Sequence, residues 1–367
     1  MPFFRKPLNL VLGGGGVKGI AYIGVFDAAY RRGYGFVNIT GVSAGALAGS
    51  FAASGFSAYE MWKAMENFGF NEIQLEKVAQ RLPVVTGFVS YSRNNLIYGM
   101  DSVENFLSQP IFGRNDDFDD WPDFWDRRGN FFKNLVLFSK EGCLFDGDYL
   151  EEWVYKMLSS RGVRTFADLR GGVVDDSNPR GYRIRMTGVD CNRAKVVVLP
   201  DDMKFYGIDP DRFEVAKAVR ISTCVPFAFK PVIIEKKEGN SVKRYNLVDG
   251  GVLDRFPDWL ITSQRLPIIG FTLDGGEKGN FFNLNTSLDI LKSIITVVHN
   301  IGVPKKTESK VKYIGAIDTA KISFLDFNLS REDKEYLFNS GRQTANIVFN
   351  KFEQEMYRRR IFPPFYY

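Results

Sequence analysis

Short apolar runs and segments of helical spacing alternate from the start of the chain. Leu8 to Leu12 is an apolar run bounded by Pro7 and four glycines, the pattern of a strand buried on both faces of a parallel sheet. From Val17 to Arg32 apolar residues recur near the helical period at Ile20, Ile23, Val25, Phe26 and Ala29; basic residues close the segment and Gly33 stops it. Phe36 to Thr40 reads as a second strand, and Ala44 to Ser54 as a helix of small residues suited to close packing. Strand, helix, strand, helix within about fifty residues predicts a doubly wound α/β sheet.

The pattern breaks between about Pro83 and Asn134, where NDDFDDWPDFWDRRGNFF sets acidic residues among Phe and Trp without a clean period. This stretch reads as an insertion, either an irregular surface segment or a substrate-facing lid. Order returns in DGDYLEEWVYKMLSSRG, where Asp146 or Asp148 is placed to cap a helix ended by Gly162. Tyr182 to Val189 and Lys195 to Leu199 alternate as strands, and Glu214 to Ser222 reads as a helix. Val232 to Lys236 and Arg244 to Val248 are strand candidates around a charged hairpin, EKKEGNSVK. No internal repeat, low-complexity tract or long linker divides the chain. The expected organisation is one domain over residues 5–330, followed by a helical segment and a basic, aromatic tail over 331–367.

Composition narrows the class. Hydrophobic residues make up 45% and charged residues 25%, which excludes a disordered or membrane-embedded chain as the bulk reading. The 15% aromatic content, mostly 33 Phe, points to apolar surface or pocket beyond a core. Net charge is 48 − 43 = +5, a mild excess compatible with a solvated surface or an anionic membrane, and nucleic acid is not expected as a partner. Cys143, Cys191 and Cys224, an odd set without metal-site spacing, read as core thiols of a reducing compartment. The apolar stretch near the N-terminus is too short for a signal peptide. Ile290 to Val303 is interrupted by Lys292, His299 and Asn300, so no membrane span is expected. These features predict a cytoplasmic protein, at most peripheral to a membrane.

The chemistry concentrates at three glycine-rich sites. Gly13-Gly14-Gly15-Gly16-Val17-Lys18-Gly19 lies between a strand and a helix, and Gly14, Gly16 and Gly19 fit the dinucleotide pattern GxGxxG. The acidic residue that pattern wants at the tip of the next strand is missing, since that region reads FVNITGVSAG. The same amides, backed by a helix dipole, suit the oxyanion of an acyl-transfer intermediate. At the second strand's tip stands Gly41-Val42-Ser43-Ala44-Gly45, a GxSxG motif in the strand-to-helix setting of a nucleophile elbow; a bare match would also read as a capping serine. The chain has one histidine, His299, inside DILKSIITVVHNIGV, which reads as a structural or surface residue on a helix. A carboxylate must then serve as base, and Asp249 in Asn246-Leu247-Val248-Asp249-Gly250-Gly251 is the best placed, although an aspartate there also reads as a turn residue.

In this order the Gly14 to Gly19 loop, the GxSxG at 41–45 and Asp249-Gly250-Gly251 resemble the patatin-like phospholipases. FDGDYLEEWV, AKAVRISTCVPFAFKPV and IDTAKISFLDFNLSREDKEYLFNSGRQTA also read like that family, so the resemblance covers most of the chain outside the aromatic insertion. It implies a three-layer α/β/α sandwich with a mainly parallel sheet and a Ser-Asp dyad that hydrolyses lipid acyl esters through an acyl-enzyme, with no metal or cofactor. Carried over, Ser43 is nucleophile, Asp249 is base, and the loop of Gly14, Gly15, Gly16, Lys18 and Gly19 is the oxyanion hole. Lys18 either strengthens that field or lies on a helix surface. Gly41, Gly45, Gly250 and Gly251 support the motifs; Asp-Gly-Gly stands where many relatives have Asp-Gly-Ala. Two other readings remain: a nucleotide-binding protein using the glycine loop, and a non-catalytic lipid or acyl-carrier binding module. The tail Tyr357 to Tyr367, with Arg358, Arg359 and Arg360 among aromatics, suits a membrane interface or a segment folded back on the domain.

Overall fold

The computed structural model describes residues 6–66, 68, 143–145, 147–263, 265–274, 309, 311–319, 322 and 329–358. The aromatic insertion at 83–134, the 290–303 stretch with His299, Asp146 and the tail beyond Arg358 lie outside the described residues.

Apolar runs in the first forty or so residues form β1 (Lys6–Leu12) and β2 (Tyr34–Gly41), joined by a 3-10 turn at Gly16–Ile20 and helix α1 (Ala21–Arg31). The expected helix from Val17 therefore begins with a tighter 3-10 turn, because Gly16 takes a left-handed φ of 57° and turns the chain sharply out of β1. Helices α2 (Ala44–Ala53) and α3 (Ala58–Glu66) follow, then β3 (Cys143–Phe145) and α4 (Asp148–Ser159). Gly147, not Asp148, occupies the N-cap of α4, and Asp148 is the first helical residue. A Cβ at residue 147 would lie 1.9 Å from the Arg220 guanidinium carbon, so packing there demands glycine.

Next come β4 (Ile184–Asp190), β5 (Lys195–Leu199), α5 (Val215–Ser222), β6 (Phe227–Phe229), β7 (Val232–Glu238) and β8 (Ser241–Asp249). The chain ends its described part with β9 (Ile268–Asp274), β10 (Tyr313–Asp318) and α6 (Arg331–Arg358), the expected C-terminal helical segment. Strands β9 and β10 were not expected from the sequence.

Eight strands form one mixed sheet in the order β10-β9-β1-β2-β4-β8-β7, with β5 paired to β4. The run from β10 to β4 is parallel, whereas β8, β7 and β5 join antiparallel. Leu8, Leu10 and Leu12 enter the main core with α1, α2 and α6 on one face, and Val11 enters a second core with Phe256, Ile261 and Val311 on the other. The second face also carries a short 3-10 helix, Asp258–Leu260, so helical segments lie on both sides of an α/β sheet. Helices α1 and α6 cross backbone to backbone: a Cβ on Gly341 would meet the Ala21 carbonyl oxygen at 1.9 Å, and one on Gly24 would meet the Phe338 carbonyl oxygen at 2.0 Å. Around this crossing Tyr34 stacks on Phe349 at 4.9 Å, and Arg32 donates to Asn346, Asn350 and Glu353 of α6.

Cys224 is buried, as expected of a core thiol, but Cys191 is exposed, because it sits in the turn that links β4 to β5. Among the described residues no helix is long and apolar enough to cross a membrane.

Candidate active site

Strand β1 has β2 on one side and β9 on the other, so the chain's crossovers diverge there, and loops at the carboxyl ends of β1 and β2 meet over a crevice. The glycine loop leaves β1 and the GxSxG turn leaves β2. Gly45 packs so closely that a Cβ there would lie 2.3 Å from the Leu12 carbonyl oxygen, and one on Gly41 would lie 2.5 Å from the Gly45 carbonyl. These two glycines let the first turn of α2 press onto the end of β1. Between them Ser43 adopts φ 53° and ψ −121°, a conformation that costs an L-residue on the order of 1–3 kcal/mol. The surrounding contacts hold it there: the Ser43 amide donates to Ser222 Oγ at 3.0 Å, and Ser222 Oγ donates to the Thr187 carbonyl at 2.7 Å.

Asp249 ends β8 and is 3% exposed. Its carboxylate lies beside the Ser43 side chain, close enough for the hydroxyl to favour the charged form, and its Oδ1 accepts from the Gly251 amide at 2.7 Å. Burial pushes its pKa up to about 7, against the opposing pull of Ser43, the Gly251 amide and the Arg255 charge. The Asp249 amide donates to the Cys224 carbonyl at 2.8 Å, while Gly188 of β4 pairs with Asp249 across the ladder. Gly250 fits tightly too, since a Cβ there would lie 2.4 Å from Thr187 Oγ1. One turn, Ser222 to Cys224, thus holds the amide of Ser43 at one end and that of Asp249 at the other.

The glycine loop lies against this pair. A Cβ on Gly14 would sit 3.4 Å from Ser43 Cβ, and one on Gly19 would sit 2.8 Å from Ala44 Cβ. Gly14 does not offer its amide to the cleft, because that amide donates to the Arg255 carbonyl at 3.1 Å. Gly15 and Gly16 stand at the start of the 3-10 helix, where leading amides point out of the turn. Tyr22, fully buried, donates its hydroxyl to the Gly13 carbonyl at 2.7 Å and so anchors the loop's root. Lys18 is 5% exposed, which corrects the reading of it as a helix-surface lysine: the 3-10 turn directs it inward.

In front of Ser43 opens a cleft of about 880 Å³, its mouth included. Leu47, Phe51, Met61, Phe68 and Trp153 help to line it, and Ser43 and Thr223 carry the hydroxyls among its described lining residues. No lysine or arginine is among those residues. No group of three or more His, Cys, Asp or Glu fit for a metal ion occurs among the described residues.

Sequence reasoning brought the glycine loop, Ser43 and Asp249 to one site, and the structure places all three there. It missed Ser222, Thr187, Tyr22 and Arg255. Ser222 lies in AKAVRISTCVPFAFKPV, a segment read only as the end of a helix and for its resemblance; the other three carried no signal, because their roles arise from contacts across the sheet.

The profile of the family described as patatin-like phospholipase matches residues 10–257. The chain is 28% identical over 347 residues to the uncharacterized protein YqhO of Bacillus subtilis, covering 93% of this chain and 97% of that one. It is 26% identical over 199 residues to lysophospholipase NTE1 of Candida albicans, covering 50% of this chain and 14% of that protein. Among solved structures it is similar to VipD from Legionella pneumophila, with a TM-score of 0.46 at 14% identity over 95% of this chain and 67% of that chain. The ExoU–SpcU complex of Pseudomonas aeruginosa gives a TM-score of 0.36 at 17% identity over 95% of this chain and 52% of that chain.

Proposed function

Because the chain belongs to the patatin-like phospholipase family, we propose that it is a serine hydrolase of lipid acyl esters, of the phospholipase A or lysophospholipase type, working through Ser43 and Asp249. The observation that carries this reading is the buried carboxylate of Asp249 set beside the Ser43 side chain, at the wall of an apolar cleft.

In this scheme Ser43 Oγ attacks the acyl carbonyl carbon while its proton passes to Asp249. A carboxylate is a weak base in water, and burial remedies this by lifting its affinity for the proton into the neutral range. The amides of Gly15 and Gly16 receive the oxyanion, with the dipole of the following helix behind them. Gly19 serves by its bareness, admitting Ala44, Gly14 lies in contact range of Ser43, and Lys18 adds positive charge within the loop. Collapse of the intermediate breaks the ester bond, and Asp249 returns the proton to the leaving alcohol. Water then attacks the acyl-enzyme with Asp249 as its base, releasing the fatty acid and restoring Ser43. The chemistry calls for no metal or cofactor.

The partner in this reading is a lipid substrate met at a membrane surface, by a protein that stays peripheral. The nucleotide-binding reading gains no support from a cleft lined by apolar side chains. The test is turnover of a short acyl ester by Ser43→Ala and Asp249→Asn. Each is expected to lower kcat by at least about 10⁴-fold, by analogy with triad members elsewhere, with the fold retained. Near wild-type turnover by either variant refutes the dyad.

A further inference from the structure

The cleft has a direction as well as a polarity. Ser43, Leu47 and Phe51 recur along α2 at the spacing that puts them on one face, and all three line the cleft. Met61, Met65 and Phe68, spaced as one stripe along α3 and just past its end, also line it. At the far end of the α2 stripe the rings meet: Trp153 lies 5.3 Å from Phe51 and 4.5 Å from Phe68, both edge to face. Phe51 and Phe68 are buried at 3% and 6% exposure, so these rings form a wall rather than a mouth.

We propose that this groove is a ruler for one unbranched acyl chain, lying along α2 from Ser43 to the Phe51–Phe68–Trp153 wall. The proposal rests on Ser43 being the nucleophile, since the chain is measured from the carbonyl that Ser43 attacks. Eight residues of helix from Ser43 to Phe51 advance about 12 Å. A zigzag of bonds near 1.5 Å gains a little over 1 Å per carbon, so the groove takes a chain of about eight to ten carbons. Ala48 stands within the groove, one turn before the wall. Its small side chain leaves the bore open, whereas a larger one there would shorten it. Met61 and Met65 give the lining the adaptability that a flexible chain needs.

The experiment is the dependence of kcat/KM on acyl length, measured with p-nitrophenyl esters from acetate to palmitate. The wild-type protein, Phe51→Ala, Ala48→Leu and Ser43→Ala are compared. The wild type is expected to peak at octanoate to decanoate. Phe51→Ala removes part of the wall and is expected to raise the palmitate-to-octanoate ratio by about tenfold. Ala48→Leu narrows the bore and is expected to lower the octanoate-to-butyrate ratio by about tenfold. Because Ala48 lines the groove, Ala48→Leu puts its added atoms at the bore, and a folded Ala48→Leu decides the matter even if the loss of Phe51 prevents folding. A length profile that is the same in wild type and Ala48→Leu, with turnover lost in Ser43→Ala, overturns the ruler and leaves the dyad standing. Turnover that survives in Ser43→Ala overturns the dyad and the ruler with it.

Discussion

Gly24 and Gly341 let α1 and α6 cross backbone to backbone, while Gly41 and Gly45 let α2 fold back onto the end of β1. Both pairs remove a side chain so that two segments can touch. At the helix crossing the neighbours relax into packed aromatics, Tyr34 on Phe349, and the contact contributes to holding the sheet's flank. At the elbow the space gained is used to hold Ser43 at a positive φ, against its own preference, with its hydroxyl against Asp249. Close approach therefore stabilises the fold in one region and sustains strain in the other. A change at the crossing should register as lost stability, and a change at the elbow as lost rate.

Replacing Gly341 with Val is the largest expected perturbation. A Cβ there meets a backbone carbonyl, not the end of a movable side chain, so the helices must separate. A loss of more than about 3 kcal/mol is expected in urea unfolding, with turnover per folded molecule little changed at low temperature. A variant as stable as the wild type would break the comparison from the packing side.

Ser222→Ala probes the other side. It leaves the Ser43 amide and the Thr187 carbonyl without their shared hydroxyl. Stability should fall by about 1–2 kcal/mol, the cost of a buried hydrogen bond. kcat should fall about a hundredfold, because the nucleophile loses its alignment, while KM stays near the wild-type value. A raised KM with kcat little changed would instead mark Ser222 as a residue that contacts substrate.

The smallest effect is the pH dependence. With the pKa of Asp249 raised to about 7, the base is lost as pH falls through that value, so kcat/KM should drop about tenfold between roughly pH 6.5 and 5.5. Stability runs the other way. A carboxyl whose folded pKa lies above its unfolded value, about 3.9, destabilises the fold increasingly as pH rises from about 4 to about 7. Asp249→Asn removes that penalty, so its thermal midpoint should exceed the wild type's above about pH 7 and approach it near pH 4. A midpoint difference independent of pH would show that Asp249 is not the group that titrates.

Much of this contrast was legible in the sequence, though unevenly. The elbow could be read because its determinants are contiguous: an apolar strand, a GxSxG turn and a helix of small residues. Asp249 could be located by exclusion, from a single histidine at 299, but not its burial, which depends on Gly188 and Cys224, far away in sequence. Ser222 was invisible as a partner because 179 positions separate it from Ser43. Strands β9 and β10 escaped notice for a local reason. Their apolar runs are interrupted by Gly270 and Gly315, where a Cβ would lie 2.5 Å from Phe256 and 2.8 Å from Phe271. Glycine there makes room for rings of the core, and this looks like a break in a strand when only neighbours in sequence are considered. The helix crossing was hidden in the same way, since Gly24 and Gly341 acquire meaning only as a pair.

The central claim is that Ser43 is held ready to attack, and mapping the adduct of a fluorophosphonate on the folded protein tests it most directly. The account predicts one adduct per chain, on Ser43, slowed in Ser222→Ala and Asp249→Asn and absent after denaturation. A folded protein that takes up no label at Ser43, or takes it up at the same rate once denatured, would contradict it.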